Sequence, residues 1–256
     1  MIHKTAIISE DARLHETVEV GPYAIIEGNV EIDEGCSIGP HVQIAPGARL
    51  GKNVQVFQGA VVGSIPQDLK FEGEESLAII GDGTRIREYA TVNRGTSESG
   101  STDVGENCLL MAYAHVAHDC KLGDNVIMAN SVNLGGHVYI GDYAIVGGVV
   151  PVHQFVKIGT HSMVGGGFRV VQDLCPYSMA GGYPLKIAGL NIIGLRRRDF
   201  PRESIKILRE VFKILFFSNL NTSQAVEKIK NEIELIDEVN EIFQFIKAST
   251  RGLVKA

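Results

Sequence analysis

The sequence predicts a mainly β protein, a parallel β-helix built from hexapeptide repeats, which is followed by a small C-terminal α-helical domain. The first observation is an aliphatic residue at every sixth position from Ile2 to Val170, a series that only Asp68, Glu74 and Glu98 interrupt. The second is a small or β-branched residue four positions after most of these aliphatic residues. The third is a change to helical apolar spacing near the C-terminus.

A period of six matches neither the turn of an α-helix nor the alternation of a single strand. It describes a coil that returns to the same face. Three hexads then form one triangular coil of about 18 residues, which lies about 4.8 Å above the previous coil. Aliphatic residues point inward and small residues fill the corners, so positions eighteen apart in sequence become vertical neighbours. We assign residues 1–190 to this domain and residues 191–256 to the helical domain.

Two stretches leave the repeat. The run SIPQDLKFEGEESL, residues 64–77, loses the aliphatic position twice, and the run TSESGST, residues 96–102, is small and polar. Both are predicted to be loops that project from a corner of the coil. Loops held on a rigid scaffold are favoured places for ligand contacts, so both loops are candidates for substrate binding.

The C-terminal segment carries helix signals of its own. Pro201 suits the first turn of a helix, and Asn221 with Gln224 resembles a capping pair. Three apolar stripes at helical spacing predict about three helices. The stripes contain Ile205, Leu208, Val211, Phe212, Leu215 and Phe216, then Val226, Ile229, Ile233 and Ile236, then Val239, Ile242, Phe243 and Ile246. Such a domain would cap a bare end of the solenoid.

Composition argues against some classes of function. A net charge of −6 and a pI near 5.8 argue against a general nucleic-acid binder, because no basic excess displaces counterions. No apolar run approaches the roughly 20 residues of a membrane span, and the N-terminus lacks the pattern of a secretory signal, so we expect a cytoplasmic protein with no integral membrane segment. Three cysteines occupy small-residue positions of hexads and are predicted to be packed thiols: Cys36, Cys108 and Cys120.

Four of the eight histidines fall in one part of the solenoid: His115, His118, His137 and His153. The offset of eighteen residues places Gly136 and then Gln154 above His118. It also places His137 above Asp119. Because successive coils are only about 4.8 Å apart, these groups are expected to line one strip of surface.

This strip contains the groups that would deprotonate a hydroxyl and stabilise an oxyanion. His118 is a candidate general base, the neighbouring Asp119 favours its imidazolium form, and the glycines of LGGHV expose backbone N–H donors. No Ser or Cys has an activating context, so direct transfer is favoured over a covalent intermediate. The competing interpretation is zinc, because histidines on adjacent coils or from two subunits would hold the metal with an open position, as in hydratases built on a similar coil.

Five segments carry a resemblance to a known family: PQDLKFEGE, MAYAHVAHDCKLGDN, NLGGHVYIGDYAIVGG, VHQFVKIGTHSMVGGG and NIIGLRRRDF. Together they resemble the UDP-N-acetylglucosamine O-acyltransferases that begin lipid A synthesis in Gram-negative bacteria. The resemblance spans nearly the whole chain, including STRG at 249–252. It implies a left-handed parallel β-helix. It also implies an enzyme that transfers a 3-hydroxyacyl chain from acyl carrier protein to a UDP-sugar and that uses no cofactor and no metal.

The resemblance further implies a homotrimer with active sites at the clefts between subunits. The residues alone leave this point open. Phe57, Val61 and Ile65 are apolar and predicted to face outward, which fits either a closed oligomer or scattered surface residues.

The resemblance also assigns roles by position. His118 would remove the proton from the sugar 3-hydroxyl, Asp119 would orient His118, and the amide of Gly136 would hold the thioester oxyanion. Gly166 lies where a small residue accepts a long acyl chain, although a simple turn glycine is the other interpretation. The remaining substrate-binding positions are Gln67, Asp68, Lys70, His115, His137, His153, Gln154, Asn191, Arg197 and Arg198.

Three points stay open at this stage. Ile193 stands where many family members have an acidic or other polar residue that helps to bind the nucleotide. Some relatives acylate a 3-amino sugar and form an amide, although the retained His118 and Asp119 favour a hydroxyl acceptor. Arg197 and Arg198 would either bind phosphate through their planar guanidinium groups or attract the acidic carrier protein.

Overall fold

The computed structural model describes residues 1–256, and its hexads form the expected left-handed parallel β-helix. The strands of the first half are β1 Ile7–Ile8, β2 Arg13–Leu14, β3 Glu19–Val20, β4 Ile25–Ile26, β5 Glu31–Ile32, β6 Ser37–Ile38, β7 Gln43–Ile44, β8 Ala48–Leu50, β9 Gln55–Val56, β10 Val61–Ser64, β11 Leu77–Ile80, β12 Arg85–Ile86 and β13 Thr91–Asn93. Those of the second half are β14 Ser101–Val104, β15 Leu109–Leu110, β16 His115–Val116, β17 Lys121–Leu122, β18 Ile127–Met128, β19 Asn133–Leu134, β20 Tyr139–Ile140, β21 Ile145–Val146, β22 Pro151–Val152, β23 Lys157–Ile158, β24 Met163–Val164, β25 Ser178–Gly181 and β26 Lys186–Leu190.

Every third strand belongs to the same sheet, so the coil has three faces. The first sheet runs from β1 to β22, the second from β2 to β23, and the third from β3 to β24 with β25 and β26 added at its end. Neighbouring strands pair in parallel, as Ile7 pairs with Ile25 and Ile25 with Gln43, each eighteen positions on. Only the final pair, β25 with β26, is antiparallel.

Two loops interrupt the coil without disturbing its phase. The pairing offset widens from 18 to 30 between Val61 and Thr91, and it is 24 between Thr91 and His115. The first loop, residues 65–76, therefore adds two hexads, and the second loop, residues 94–100, adds one. Because each insertion is a whole number of hexads, the chain re-enters the coil with its aliphatic residues still pointing inward.

The core is a stack of aliphatic ladders. The inward residues of the hexads are almost fully buried, among them Ile26, Ile44, Leu110 and Ile140. Each such side chain contributes about 1.5–3 kcal/mol by leaving water. Cys36, Cys108 and Cys120 are buried in the small-residue positions of their hexads, as predicted. Burial raises the pKa of Cys108 to about 11 and that of Cys120 to about 12, which keeps both thiols protonated and unreactive.

The C-terminal segment contains four helices, so the prediction of about three missed one. They are α1 Ile192–Arg197, α2 Arg202–Phe216, α3 Thr222–Glu232 and α4 Asp237–Ala248. The missed helix, α1, is too short to repeat an apolar stripe and buries only Leu195. The predicted pair at the start of α3 is confirmed, since Asn221 and Gln224 form a reciprocal capping box. None of the helices is long and apolar enough to cross a membrane.

The helices and the tail after them cover the C-terminal end of the solenoid. Glu241 on α4 accepts hydrogen bonds from the hydroxyls of Thr160 and Tyr177. The fully buried carboxylate of Asp173 accepts from the Lys157 amide at 2.8 Å and from the Ser249 hydroxyl at 2.6 Å. A buried carboxylate needs such donors, which gives the polar STRG run a structural role in anchoring the tail.

Candidate active site

Successive coils place three side chains in one column at the corner between the first and second sheets. This site corner contains Asp119, His137 and Phe155, with φ angles of 59°, 60° and 65°. Such angles are unfavourable for residues with a Cβ, and they recur at turns between hexads throughout this coil, from Tyr23 to Tyr177. The ring of His137 stacks on that of Phe155, with 4.5 Å between centroids. The expected vertical relation of positions 119, 137 and 155 is therefore present.

His118 and Asp119 form a hydrogen-bonded pair at this corner. The Nδ1 atom of His118 lies 2.7 Å from Oδ2 of Asp119, whose side chain is fully buried. Asp119 also accepts hydrogen bonds from the amide and the hydroxyl of Thr96, both at 2.9 Å, and from the hydroxyl of Ser99. Burial alone would raise the pKa of Asp119, but the hydrogen bonds from Ser99, Thr96 and His118 outweigh it and lower the pKa to about 2.

The charge of Asp119 fixes the tautomer of His118. A carboxylate with so low a pKa is ionised, and an ionised carboxylate only accepts hydrogen bonds. Nδ1 of His118 must therefore carry the proton that it donates to Asp119. In the neutral ring this leaves the lone pair on Nε2, which has no hydrogen-bond partner in the protein and is available as a base.

Gly136 lies against the face of the His118 ring. A Cβ atom at Gly136 would lie 2.6 Å from Cε1 and 2.7 Å from Nε2 of His118, so any larger residue would displace the imidazole. The backbone N–H of Gly136 donates no hydrogen bond within the protein. An unpaired amide next to the basic nitrogen is the arrangement that an oxyanion site requires.

A cavity of about 590 Å³ opens beside this pair. It joins residues of both loops to residues of the site corner: Gln67, Asp68, Leu69, Lys70, Glu74, Thr96, Ser97, Glu98, His118, His137, Gln154 and Phe155. A larger cavity of about 820 Å³ lies on α1 and α2 and is lined mainly by Arg and Lys, but it has no paired acid and base. The cavity beside His118 is therefore the candidate active site.

Six residues of the cavity lining were not predicted from the sequence: Leu69, Glu74, Thr96, Ser97, Glu98 and Phe155. A signal for two of them was present, because the three interruptions of the six-residue period are Asp68, Glu74 and Glu98, and all three line this cavity. A carboxylate where the coil needs an aliphatic residue marks a hexad that has left the core.

Other proposed site residues lie outside the cavity lining. His115 is hydrogen-bonded to the hydroxyl of Thr91 at 2.7 Å, and burial lowers its pKa, helped by the nearby His118. Nδ1 of His153 lies 3.0 Å from the carbonyl of Gln154. Gly166 stacks on Gly148 and lies near the corner between the third and first sheets, where a Cβ atom would meet the Gly148 carbonyl at 3.2 Å.

Asn191, Arg197 and Arg198 lie near a different corner. The helix corner, between the second and third sheets, contains Tyr143, His161 and Tyr177. Asn191 is buried and donates to the carbonyl of His161 at 2.9 Å. Arg198 donates to the carbonyl of Tyr143 at 3.0 Å, and Arg197 is exposed. Within one chain these residues are on another edge of the prism from His118.

The site corner also contains residue types that bind metal ions. His118, Asp119 and His137 offer ligand atoms that all lie within 4.8 Å of one another. However, the two oxygens of Asp119 already accept four hydrogen bonds, which fills their lone-pair directions. A metal ion would have to displace one of these donors, so the arrangement favours acid–base chemistry.

The coil of hexads and the His118–Asp119 pair define the class of hexapeptide-repeat transferases. The family model for bacterial transferase hexapeptide repeats matches residues 11–46 and 101–136. The model for UDP N-acetylglucosamine O-acyltransferase, domain 2, matches residues 173–254.

Relatives extend this similarity to the full chain. The protein is 55% identical over 258 residues to the acyl-(acyl-carrier-protein)–UDP-N-acetylglucosamine O-acyltransferase of Trichlorobacter lovleyi, covering 99% of each chain. It is 44% identical to the solved UDP-N-acetylglucosamine acyltransferase from Bacteroides fragilis, with a TM-score of 0.98 over 100% of both chains. The Acinetobacter baumannii structure gives 42% identity and a TM-score of 0.96 over 99% of both. The chain belongs to the UDP-N-acetylglucosamine O-acyltransferase family and is an enzyme.

Proposed function

We propose that this protein is a cytoplasmic homotrimer that catalyses the first step of lipid A synthesis. It transfers a 3-hydroxyacyl chain from acyl carrier protein to the 3-hydroxyl of UDP-N-acetylglucosamine. The observation that carries the proposal is the His118–Asp119 pair beneath Gly136, with an unpartnered Nε2 beside a cavity. The names of the full-length relatives, which specify this donor and this acceptor, support the choice of substrates.

Because Nδ1 of His118 carries a proton, Nε2 is the atom that acts as the base in the reaction. Nε2 of His118 takes the proton of the 3-hydroxyl as that oxygen attacks the thioester carbonyl, and Asp119 stabilises the imidazolium that forms. The carbonyl oxygen becomes an oxyanion and accepts a hydrogen bond from the Gly136 amide. When the intermediate collapses, the bond from carbon to sulfur breaks and the carrier thiolate takes the proton from His118. An ester is formed and the base is restored.

The loop wall of the cavity offers one positive charge and several hydrogen-bonding groups for this substrate. Lys70 lines the wall formed by the first loop, where it would offset the negative charge of the diphosphate. Gln67 and Asp68 would bind the sugar, because an amide or carboxylate accepts hydrogen bonds from hydroxyl groups. His137 and Gln154 extend the cavity along the site corner, and His115 and His153 would add further polar contacts to the substrate. Gly166 and Gly148 would leave a groove free of side chains for a long acyl group.

A trimer accounts for the separation of the two groups of site residues. Asn191, Arg197 and Arg198 are on another edge of the prism and cannot reach the cavity of their own chain. In the proposed three-fold assembly, this edge of one subunit would lie near the cavity of the next. The arginines would then bind phosphate, and Asn191 the nucleotide. Light scattering of the purified protein should give three times the chain mass of 27.7 kDa.

The direct test is to identify the product. The enzyme is incubated with UDP-N-acetylglucosamine, with its 3-amino analogue and with a mixture of acyl carrier protein thioesters, and the products are analysed by mass spectrometry. We expect an ester of a long 3-hydroxyacyl chain. His118→Ala should lower kcat by about 10²–10⁴-fold, the usual contribution of a general base. The matched control is His15→Ala, which removes an exposed histidine far from the cavity.

Three results would contradict the proposal. Exclusive amide formation from the amino sugar would replace the hydroxyl acceptor. A His118→Ala enzyme that keeps most of the wild-type rate would remove His118 as the base. Dependence of the rate on added zinc, with loss after chelation, would favour the metal interpretation.

A further inference from the structure

We propose that the second loop, residues 94–100, positions the catalytic pair, with Thr96 and Ser99 holding the carboxylate of Asp119 in the orientation that His118 requires. Neither residue touches the reacting atoms in this proposal, so both are positioning residues. The inference rests on the proposed function, because it concerns the base of that reaction.

The first support is the number of donors that the loop supplies. Three of the four hydrogen bonds to the Asp119 carboxylate come from two residues of this loop: the amide of Thr96, its hydroxyl, and the hydroxyl of Ser99. The Ser99 hydroxyl also lies 2.8 Å from the carbonyl of Ser101, so its single proton is shared between a neutral acceptor and the charged carboxylate, which is the stronger acceptor. The fourth comes from His118. Since the side chain of Asp119 is fully buried, losing a loop donor leaves one of its carboxylate oxygens short of a hydrogen-bond partner within the protein.

The second support is that the chain holds Asp119 from both ends of the loop. Thr96 follows strand β13, and Thr102 lies on β14 after the loop. The amide of Asp119 donates to the fully buried hydroxyl of Thr102 at 2.8 Å. Residues at both ends of the inserted hexad therefore form hydrogen bonds to Asp119. A loop that only connected two strands would not need these contacts.

The third support is a link to the substrate-binding loop. The carboxylate of Glu74 in the first loop accepts from the amide of Ser97 at 3.0 Å and from that of Glu72 at 2.9 Å. Asp68 and Lys70 of the same loop line the cavity. A hydrogen-bonded path thus runs from the substrate loop through Ser97 to the residues that hold Asp119.

Loss of the loop donors should affect chemistry more than binding. With fewer hydrogen bonds the pKa of Asp119 would rise, because burial then acts with less opposition. A protonated or rotated carboxyl group no longer requires the proton on Nδ1 of His118, so the ring spends less time in the basic tautomer. The substrate contacts of the first loop remain, so KM for the UDP-sugar should change little.

The test is steady-state kinetics of hydroxyl-deletion variants in the full-length enzyme. Thr96→Val and Ser99→Ala should each lower kcat about 10-fold, and the double variant more, with KM within about two-fold. Thr96→Ser and Ser99→Thr restore a hydroxyl and should keep most of the rate. Ser101→Ala is the matched control, because the Ser101 side chain is next to the loop and makes no hydrogen bond to Asp119.

The outcomes separate this inference from the proposed function. If the wild-type enzyme forms no acyl sugar, the proposed function fails. If the wild type is active and both deletion variants keep its kcat, or raise KM alone, the positioning role is overturned. Ser99 is exposed, so Ser99→Ala tests the inference even if Thr96→Val does not fold.

Discussion

The site corner and the helix corner have the same backbone geometry and opposite environments. Each places a histidine at a positive φ and stacks it on an aromatic ring: His137 on Phe155 at 4.5 Å, and His161 on Tyr143 at 4.8 Å. His137 lines the cavity, where its Nε2 lies 3.6 Å from a carboxylate oxygen of Glu98. His161 is buried, and the segment after α1 covers it. The two turns are equivalent in backbone geometry. The segment after α1 covers one of them, so only the other can contact a ligand.

The burial of His161 under this segment also affects its pKa. Burial lowers the pKa of His161 to about 4, and the positive charge of Arg198 adds to this effect. The Nδ1 atom of His161 is buried without a hydrogen-bond partner. His161 is thus a neutral packing residue, whereas His137 faces carboxylates in a polar cavity.

Two aspartates on one coil show the same contrast. Asp124 is exposed, and one of its oxygens accepts from the amide of Glu106, eighteen positions earlier, at 2.8 Å. Asp119 is buried and takes its donors from the second loop and from His118. Asp124 therefore forms a hydrogen bond of the regular repeat, whereas the hydrogen bonds of Asp119 depend on the inserted second loop.

The largest expected difference comes from replacing each aspartate by asparagine. Asp119→Asn should lower kcat by at least about 100-fold, because a carboxamide cannot accept all four hydrogen bonds and no longer fixes the tautomer of His118. Asp124→Asn should keep the wild-type rate, since its remaining oxygen still accepts from Glu106. Initial rates with saturating substrates measure both. Equal losses in the two variants would show that the repeat itself, and not the loop, controls activity.

A smaller difference is expected from removing each histidine ring. His161→Ala should lower the free energy of unfolding by about 3 kcal/mol, because it leaves a cavity between Tyr143 and Tyr177. His137→Ala should cost only about 1 kcal/mol of stability, mainly the stacking on Phe155, but should lower kcat/KM about 10-fold. Denaturant unfolding and kinetics on the same samples measure both. Similar stability losses would mean that the two corners are covered alike.

A further difference is a dependence of stability on pH. His161 has a pKa of about 4 in the folded chain and an ordinary value of 6.5, so the unfolded chain binds a proton first as the pH falls. Its contribution is complete above pH 6.5 and is lost progressively down to pH 4. His161→Phe retains a stacked ring without a proton site, so its melting temperature should fall less than that of the wild type across this window. If the melting temperatures of the variant and the wild type fell equally across this pH range, His161 would be in contact with water in the folded chain.

Much of the fold follows from the hexad period. The eighteen-residue offset correctly relates Asp119, His137 and Phe155, because parallel strands at a fixed register must stack equivalent positions. The same pattern locates the two loops, since a polar residue in an aliphatic position cannot stay in the core. The missed helix α1 has no such period and is defined by its capping residue, Asn191.

The sequence by itself determined the β-helix, the buried ladders and the neighbours of His118, because covalent spacing and the burial of aliphatic side chains leave one register. Only the tertiary structure decided that Thr96 and Ser99 donate hydrogen bonds to Asp119 and that Glu74 joins the two loops. It also decided that His161 is buried while His137 lines a cavity. These contacts join segments that lack a repeat. Their geometry depends on how the inserted hexads and the helices fold back on the coil, which no local spacing specifies.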